Sequence, residues 1–383
     1  MTPKIAAVTA GGPISVFHAA FYSMHDTLEE IAPGKYELFG AVGGLKGLEA
    51  GELMPIRKEH IRPDRAGSMI GSDRHISDSS KIKQIIQEKN VHAVIMMGGD
   101  NHLKEAYKLF KDQKIKVVGY PKTMDGDLST PITLGWESAV TVGAEAVRMH
   151  HHTAMTCERV FFVGLFGRDT DWITAGVTAY GGGDFGLPCE KEYTWSEVLE
   201  KIKAALEYNK ANFGKAFAVI PYSEGARIEG AQPPPEGHRS FDEHKLPKLQ
   251  PEWLGLELVR LCKDAKIPAS FQTHTYSMRD YPPTETDKKL SAMAGRKCME
   301  MVLNGDFGKV AVFKADADFY ATDMAELEPT AEQRKVSDTD YFNYETLQTN
   351  ESFIRDYGNL FRPSLGEPPA KKDLVYPSML EKF

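Results

Sequence analysis

The chain has little cysteine, no excess of positive charge and no long apolar run, and each shortage narrows what it can be. Four cysteines in 383 residues, Cys157, Cys189, Cys262 and Cys298, stand far apart and form no CxxC pair. That spacing argues against a disulfide framework or a cysteine zinc site and fits a reducing compartment. Lysine and arginine number 46 against 54 aspartates and glutamates, a net charge of −8. Nucleic acid and anionic membranes are therefore not expected as main partners, although a small anion needs only a local basic pocket. No segment approaches the roughly 20 apolar residues of a membrane span. The opening MTPKIAAVTAGG has an apolar run of only about five residues, ended by Gly11-Gly12, which is unlike a secretory signal. A cytoplasmic protein is expected. No GK[ST] follows the same two glycines, so a P-loop is missing. Internal repeats are missing too. His150-His151-His152 are consecutive on a predicted helix, so their side chains diverge and do not converge on one ion.

What is present is a rhythm of short apolar runs ended by glycine or aspartate. Ile5–Thr9 reads as a buried strand, followed by Gly11-Gly12 and a helix over His18–Glu30. Tyr36–Val42 is a second strand, ended by Gly43-Gly44. A helix over Asp78–Lys89 has Ser77 or Asp78 as its cap. Val91–Met97 is a strand entering Gly98-Gly99-Asp100, and Asn101–Lys111 is a helix. Ile115–Tyr120 is a strand that delivers PKTMDGD, residues 121–127, at its carboxyl end. Strands alternating with helices predict an α/β fold with a parallel, doubly wound sheet, which binds ligands at the carboxyl ends of its strands. The pattern then repeats. Trp136–His152 is a helix, Arg159–Phe166 a strand entering Gly167-Arg168-Asp169, Trp195–Asn209 a helix and Ala216–Pro221 a strand. A second α/β domain is predicted, consistent with a length beyond one ordinary core. Residues 226–252, rich in proline, glycine and charge, read as a long and partly mobile loop. The polar tail after about residue 327 reads as an irregular extension.

Three strand ends carry candidate chemistry. Thr9-Ala10-Gly11-Gly12 is a turn that could admit a phosphate, and a plain tight turn reads equally well. Asp100, just past Gly98-Gly99, could reach a magnesium ion beside a phosphate or could simply cap the next helix. His102 nearby could touch a phosphate or reflect the polarity of a helix start. In PKTMDGD, Asp125 and Asp127 stand two apart, so in an extended segment both point one way. Two carboxylates in a cleft suit general-base work plus an orienting or metal role, and Lys122 adds a cation for developing charge. A solvated turn is the alternative. Cys189, beside Glu190, reads as a packing residue, since no base partners it.

These residues resemble the phosphofructokinases. PKTMDGD is similar to the PKTIDND signature of their pyrophosphate-dependent branch, and other motifs follow in the same order from about residue 4 to 315. Thr9–Gly12 resembles the family's TSGGD turn, Gly43–Leu48 its NGYKGL, and Ile70-Gly71-Ser72-Asp73-Arg74 its LGSSR. GGDN at 98–101 resembles GGDD or GGDG, and TLGWESAV at 133–140 resembles TFGFDTAV. Arg159 stands before Phe166-Gly167-Arg168 at the spacing of an arginine before the family's MGR. Leu187-Pro188-Cys189-Glu190 resembles IPE with an insertion, and Tyr276-Ser277-Met278-Arg279 resembles YTQR, with Asp287 at the family's spacing.

The resemblance implies two doubly wound α/β domains with the active site in the cleft between them. Residues 1–135 plus about 277–325 would bind the phosphoryl donor, 136–276 the sugar phosphate, and 326–383 would form a C-terminal extension. It implies that Asp125 is the base for the sugar 1-hydroxyl, that Thr123 and Asp127 position the transferring group, and that Lys122 assists it. Gly11, Arg74, Gly99 and Asn101 would line the donor site, and Asp100 would hold Mg²⁺. Phe166, Gly167, Arg168, Glu190, Tyr276 and Arg279 would hold fructose 6-phosphate, with Arg159 reaching a neighbouring subunit of a homodimer or homotetramer. Lysine at position 122 marks pyrophosphate users within the family. Asn101 takes the place of their second aspartate with nearly the same shape but no charge. The resemblance therefore implies transfer from pyrophosphate to the 1-hydroxyl of fructose 6-phosphate, with ATP as the alternative donor. The chain also departs from the pattern. The donor turn reads Gly12-Pro13-Ile14-Ser15 without the family's Asp, Gly126 replaces an Asn, Phe166 replaces Met, and Asp169 and Asp171 add acids. Ser270 stands where the family has a second inter-subunit arginine. Sedoheptulose 7-phosphate as acceptor, or a non-catalytic sugar-phosphate-binding relative, are the alternatives that these departures leave.

Overall fold

The computed structural model describes residues 2–12, 14–238, 240–241, 248–315 and 320–376. The chain divides into two units, one of Met1–Ser138 with Arg279–Arg334 and one of Ala139–Met278 with Lys335–Phe383. In chain order the first unit begins with β1 (Lys4–Thr9), α1 (Phe17–Ile31), β2 (Glu37–Ala41), α2 (Leu45–Ala50), β3 (Leu53–Pro55), α3 (Ser79–Glu88), β4 (Val91–Gly98), α4 (Asp100–Gln113), β5 (Val117–Thr123) and β6 (Leu134–Gly135). Then come α5 (Trp136–Cys157), β7 (Val160–Leu165), α6 (Trp172–Gly181), β8 (Glu192–Tyr193), α7 (Trp195–Phe213), β9 (Ala218–Ser223), β10 (Arg227–Ile228), α8 (Pro251–Asp264), β11 (Ala269–Thr273) and α9 (Thr275–Asp280). The chain returns through α10 (Glu285–Asn304), β12 (Lys309–Ala315), β13 (Tyr320–Glu326) and α11 (Leu327–Thr330), and continues with β14 (Phe342–Asn343), β15 (Gln348–Thr349) and α12 (Glu351–Leu365).

The first unit is one sheet in the order β13-β12-β5-β4-β1-β2-β3, with β6 beside β5. Its centre is parallel, while the edge pairs β2–β3 and β12–β13 are antiparallel. The expected parallel sheet is therefore the middle of a mixed one. The central strands read as continuous apolar runs because helices cover both faces. Val94, Met96, Val117, Leu103, Ala106 and Val310 pack into one buried cluster. The order β5-β4-β1 sets three strand ends side by side, and those are the ends of PKTMDGD, Gly98-Gly99-Asp100 and Ala10–Gly12. The second unit holds the parallel sheet β11-β7-β9, with small pairs β10–β8 and β14–β15.

Two expected boundaries change. The strand before PKTMDGD extends through Thr123, because Pro121 pairs with Gly98 on β4, and Lys122 and Thr123 pair with Leu134 and Gly135. Only Met124–Asp127 is loop. The tail is not irregular throughout: α12 buries Phe353, Tyr357, Leu360 and Phe361 at helical spacing. Its residues 377–383 lie outside the described residues. So do 239 and 242–247 of the loop expected to be mobile; nearby, Gln232 is fixed by Glu257 and the Trp253 indole.

The histidine run diverges as expected. His150 meets His274 at 3.0 Å, His151 meets the Gly182 carbonyl at 3.0 Å, and His152 lies beside the Tyr376 ring. Cys189 is buried, and burial pushes its thiol far up, away from nucleophilic character.

Asp287 is the buried support of the α5 start. Its carboxylate accepts from the Gly135 and Ser138 N–H groups, both at 3.1 Å, and from the Ser138 hydroxyl at 2.7 Å. It is fully buried, and burial raises its pKa against the pull of those donors. Asp287→Ala would strand two backbone donors inside the protein. We expect a loss of about 2–4 kcal/mol in denaturant unfolding, with Asp287→Asn losing less because one acceptor oxygen remains.

Candidate functional site

The first unit concentrates cations around the β1 turn. The Gly11 N–H donates to the Asp73 carbonyl at 2.7 Å, and the Ser72 hydroxyl donates to the Gly11 carbonyl at 2.8 Å. Asp73 itself caps α2, accepting from the Leu45 and Lys46 N–H groups at 3.0 and 2.8 Å. The Ser72–Arg74 segment is thereby clamped beside the turn. Gly12 lies against Arg279: a Cβ there would stand 2.8 Å from the guanidinium. Lys122, from β5, reaches the same turn and donates to the carbonyls of Ala10 at 3.0 Å and Gly12 at 2.6 Å. Its ammonium also lies over the Phe17 ring, 5.3 Å from the centroid. Burial first, then the Arg279 and Arg74 charges, bring the Lys122 pKa down to about 7, while Asp125 opposes the fall.

The acids stand one strand end away. Gly99 is the cap of α4, with Asp100 and Asn101 in its first turn; Asp100 is half-buried and Asn101 exposed. His102 is buried in the same helix. Past Thr123 the chain turns at Gly126, whose φ of +73° suits glycine. The Thr123 hydroxyl lies 3.2 Å from Asp125 Oδ2 and 3.5 Å from Asp127 Oδ1, and it accepts the Asp125 N–H at 3.1 Å. The two carboxylates therefore share one hydroxyl through a turn rather than through an extended strand. Asp127 is 6% exposed whereas Asp125 is half-buried. Burial, followed by the Asp125 charge, raises Asp127 to about 7, with Asp100 adding to the rise and a Gln333 hydrogen bond opposing it.

The second unit carries the other candidates. Arg159 stands just before β7 and donates to the Ser270 hydroxyl at 2.8 Å on the neighbouring strand. Phe166, Gly167 and Arg168 follow the β7 end, and the Phe166 ring meets Tyr276 edge-on at 6.3 Å. Tyr276 is 70% exposed. Arg168 donates to the adjacent Asp169 at 2.7 Å, so one of the added acids already holds the arginine. Glu190 is held within the second unit. Its carboxylate accepts from the N–H groups of Asp171 at 2.8 Å, Val336 at 3.0 Å and Ser337 at 2.7 Å. Asp171, the other added acid, is buried and accepts from the Cys189 and Glu190 N–H groups and the Tyr344 hydroxyl. Burial, then the Glu190 charge, raises Asp171 to about 6. Arg279 falls in the first unit, against Gly12, on the donor side of the expected division.

Three residues at these sites were not anticipated. Glu224 follows β9, with its N–H donating to Leu165 and the Gly225 N–H donating to Gly167. An acid beside a glycine at the end of an apolar strand is the available signal, in the reverse order from Gly99-Asp100. Gln333 and Arg334 bond to the Asp125–Asp127 loop, and nothing local in the sequence marks them. Pro13, within the departing donor turn, lies outside the described residues.

A phosphofructokinase family model matches residues 4–302, most of the chain. The chain belongs to the phosphofructokinase family. It is 28% identical to an ATP-dependent 6-phosphofructokinase of Streptomyces coelicolor over 81% of this chain and 91% of that protein. It is also 28% identical to a pyrophosphate–fructose 6-phosphate 1-phosphotransferase of Amycolatopsis methanolica, over 87% and 96%. The fold matches a pyrophosphate-dependent phosphofructokinase of Marinobacter aquaeolei with a TM-score of 0.79, covering 98% and 95% of the two chains at 18% identity. The fold is thus the phosphofructokinase-like α/β fold, and the chain is an enzyme of that family.

The oxygen-only set of Asp100, Asp125 and Asp127 suits magnesium, and their charges already repel one another at Asp127. Among the described residues the ligating trio that comes within 4.8 Å is instead His25, Asp26 and Glu29, where Asp26 is already paired with Lys58. The site aspartates thus form no closed cage. An ion held at Asp100 would complete its shell with water and substrate phosphate, the usual habit of magnesium.

Proposed function

We propose that the enzyme transfers a phosphoryl group from pyrophosphate to the 1-hydroxyl of fructose 6-phosphate, giving fructose 1,6-bisphosphate and phosphate, reversibly and with Mg²⁺. The donor assignment rests on Lys122. Relatives of equal identity bear either donor's name, so overall similarity does not decide. Lys122 supports pyrophosphate: it fills the space at the Ala10–Gly12 turn and adds its charge to those of Arg74 and Arg279. A compact tetra-anion suits that cluster better than a nucleotide, which needs room beyond its phosphates. Asn101 at the α4 start, with Gly11 and Gly99, completes the donor side, and magnesium at Asp100 supplies charge neutralisation on the phosphates.

Asp125 takes the proton from the 1-hydroxyl as the oxygen attacks the donor phosphorus and the bridging P–O bond breaks toward phosphate. Thr123 and Asp127 orient the transferring group. Such a transfer depends on positioning and electrostatics rather than on covalent help. Arg168, Phe166, Gly167 and Tyr276 serve the sugar phosphate, and Arg159 serves a neighbouring copy in a cytoplasmic homo-oligomer. Glu190, and Glu224 at the end of β9, serve the sugar hydroxyls.

A grid of pyrophosphate and ATP against fructose 6-phosphate and sedoheptulose 7-phosphate tests the proposal. Product with pyrophosphate and fructose 6-phosphate is expected at a rate at least about tenfold above the other pairs. Turnover with ATP and none with pyrophosphate overturns the donor. Preference for sedoheptulose 7-phosphate overturns the acceptor. Sugar-phosphate binding without turnover in any pair overturns catalysis.

A further inference from the structure

We propose that Gln333 and Arg334 are positioning residues for phosphoryl transfer, fixing from outside the loop that carries Asp125 and Asp127. The inference rests on that loop being the reaction centre. Beyond Thr123 the loop leaves its strand pairing, and Gly126 gives it a flexible turn. Its shape therefore depends on what is laid against it. Residues 330–334 are laid against it. Leu128 and Gln333 form an antiparallel bridge, and the Ser129 N–H is shared between the Thr330 and Glu332 carbonyls at 3.2 and 3.0 Å. The Arg334 N–H donates to the Asp127 carbonyl at 2.7 Å, and its guanidinium donates to the Gly126 carbonyl at 3.0 Å and the Pro131 carbonyl at 3.2 Å. Leu327 and Ala331, buried in the sheet core, anchor this strap.

Gln333 adds a contact to the carboxylate itself. Its amide donates to Asp127 Oδ2 at 2.8 Å, which leaves Oδ1 facing the Thr123 hydroxyl. One side chain thus holds one oxygen of Asp127 and fixes the plane of the carboxylate, so that the other faces the shared hydroxyl. The strap also lies beyond residue 302, outside the stretch that the family model matches. Its role is therefore written in this chain's own contacts. A merely stabilising strap would lower the melting temperature and leave the rate of the folded enzyme alone. A positioning strap lowers kcat, because a displacement of about 1 Å at the reacting groups can cost about 100-fold.

Four variants of the full chain test the inference. Gln333→Leu is expected to lower kcat about tenfold, with KM for both substrates within about twofold and an unchanged melting temperature. Gln333→Glu keeps the shape but replaces the donor with a second carboxylate, and should lower kcat about 100-fold. Arg334→Lys, which keeps the charge but lacks the planar guanidinium fork, should recover part of the kcat lost in Arg334→Ala. Hydrogen exchange of the 123–131 peptide should quicken in Arg334→Ala without any substrate. Normal kcat in Gln333→Glu, or kcat losses that follow the melting temperature, would overturn the positioning role. Unchanged exchange would overturn the strap itself. A wild type that turns over no donor–acceptor pair would instead overturn the reaction centre, and exchange would still decide whether the strap holds the loop.

Discussion

Asp125→Ala is expected to lower kcat about 10³- to 10⁴-fold, near the upper end of what a general base contributes. The two carboxylates of the loop are not equivalent. Asp127 is buried, bonded by Gln333 and raised to about 7, so near neutrality much of it carries a proton. Asp125 is half-buried, so it can meet a substrate hydroxyl, and its own N–H on Thr123 sets its direction. That difference favours the proposed roles, Asp125 as base and Asp127 as its support, two roles drawn from two environments. The same substitution should not destabilise the protein. Asp125 repels Asp127, so removing it relieves a strain that a functional site stores. Asp127 should then titrate at lower pH. An initial-rate assay at saturating substrates and a thermal unfolding curve check both halves. A near-normal rate would refute the base assignment, and a large drop in melting temperature would show that Asp125 supports the fold instead.

The parts of this site that could be read from sequence are those fixed by local chemistry. An apolar run ended by Gly-Gly-Asp must stop being a strand there, and parallel sheets bring such ends to one side. That reasoning located the Ala10–Gly12 turn, Asp100 and PKTMDGD. It failed where a contact joins residues far apart in the chain. Gln333 meets Asp127 across 206 residues, and no spacing rule reaches that far. Motif spacing points to Glu190 and Arg279 but does not reach their long-range contacts: Glu190 accepts from three backbone donors, and the Arg279 guanidinium lies against Gly12. The tail is another kind of miss. Phe353, Tyr357, Leu360 and Phe361 recur at helical spacing, but Pro363 and many polar residues obscured the period. Pro363 sits in the last turn of α12, where it lacks the N–H that would bond the Asn359 carbonyl.

Lys122→Met should lower kcat/KM for pyrophosphate by about 100- to 1000-fold, the usual effect of losing one fixed electrostatic donor. Methionine preserves the packing over Phe17 but removes the charge and the bonds to Ala10 and Gly12. The free enzyme holds this lysine at a pKa of about 7, chiefly because it is buried. The unfolded chain would hold the same group near 10.4. Between those values the unfolded state binds more protons, so stability rises with pH across roughly pH 7 to 10 and the lysine favours folding most when neutral. A polyanion beside the ammonium reverses the balance and pushes the pKa back up. Pyrophosphate binding at pH 8 should therefore take up protons. Calorimetry in buffers of different ionisation enthalpy measures the number directly. Uptake in the wild type and none in Lys122→Met places the ammonium on the donor. Equal uptake in both would remove Lys122 from the donor site even if the variant were slow.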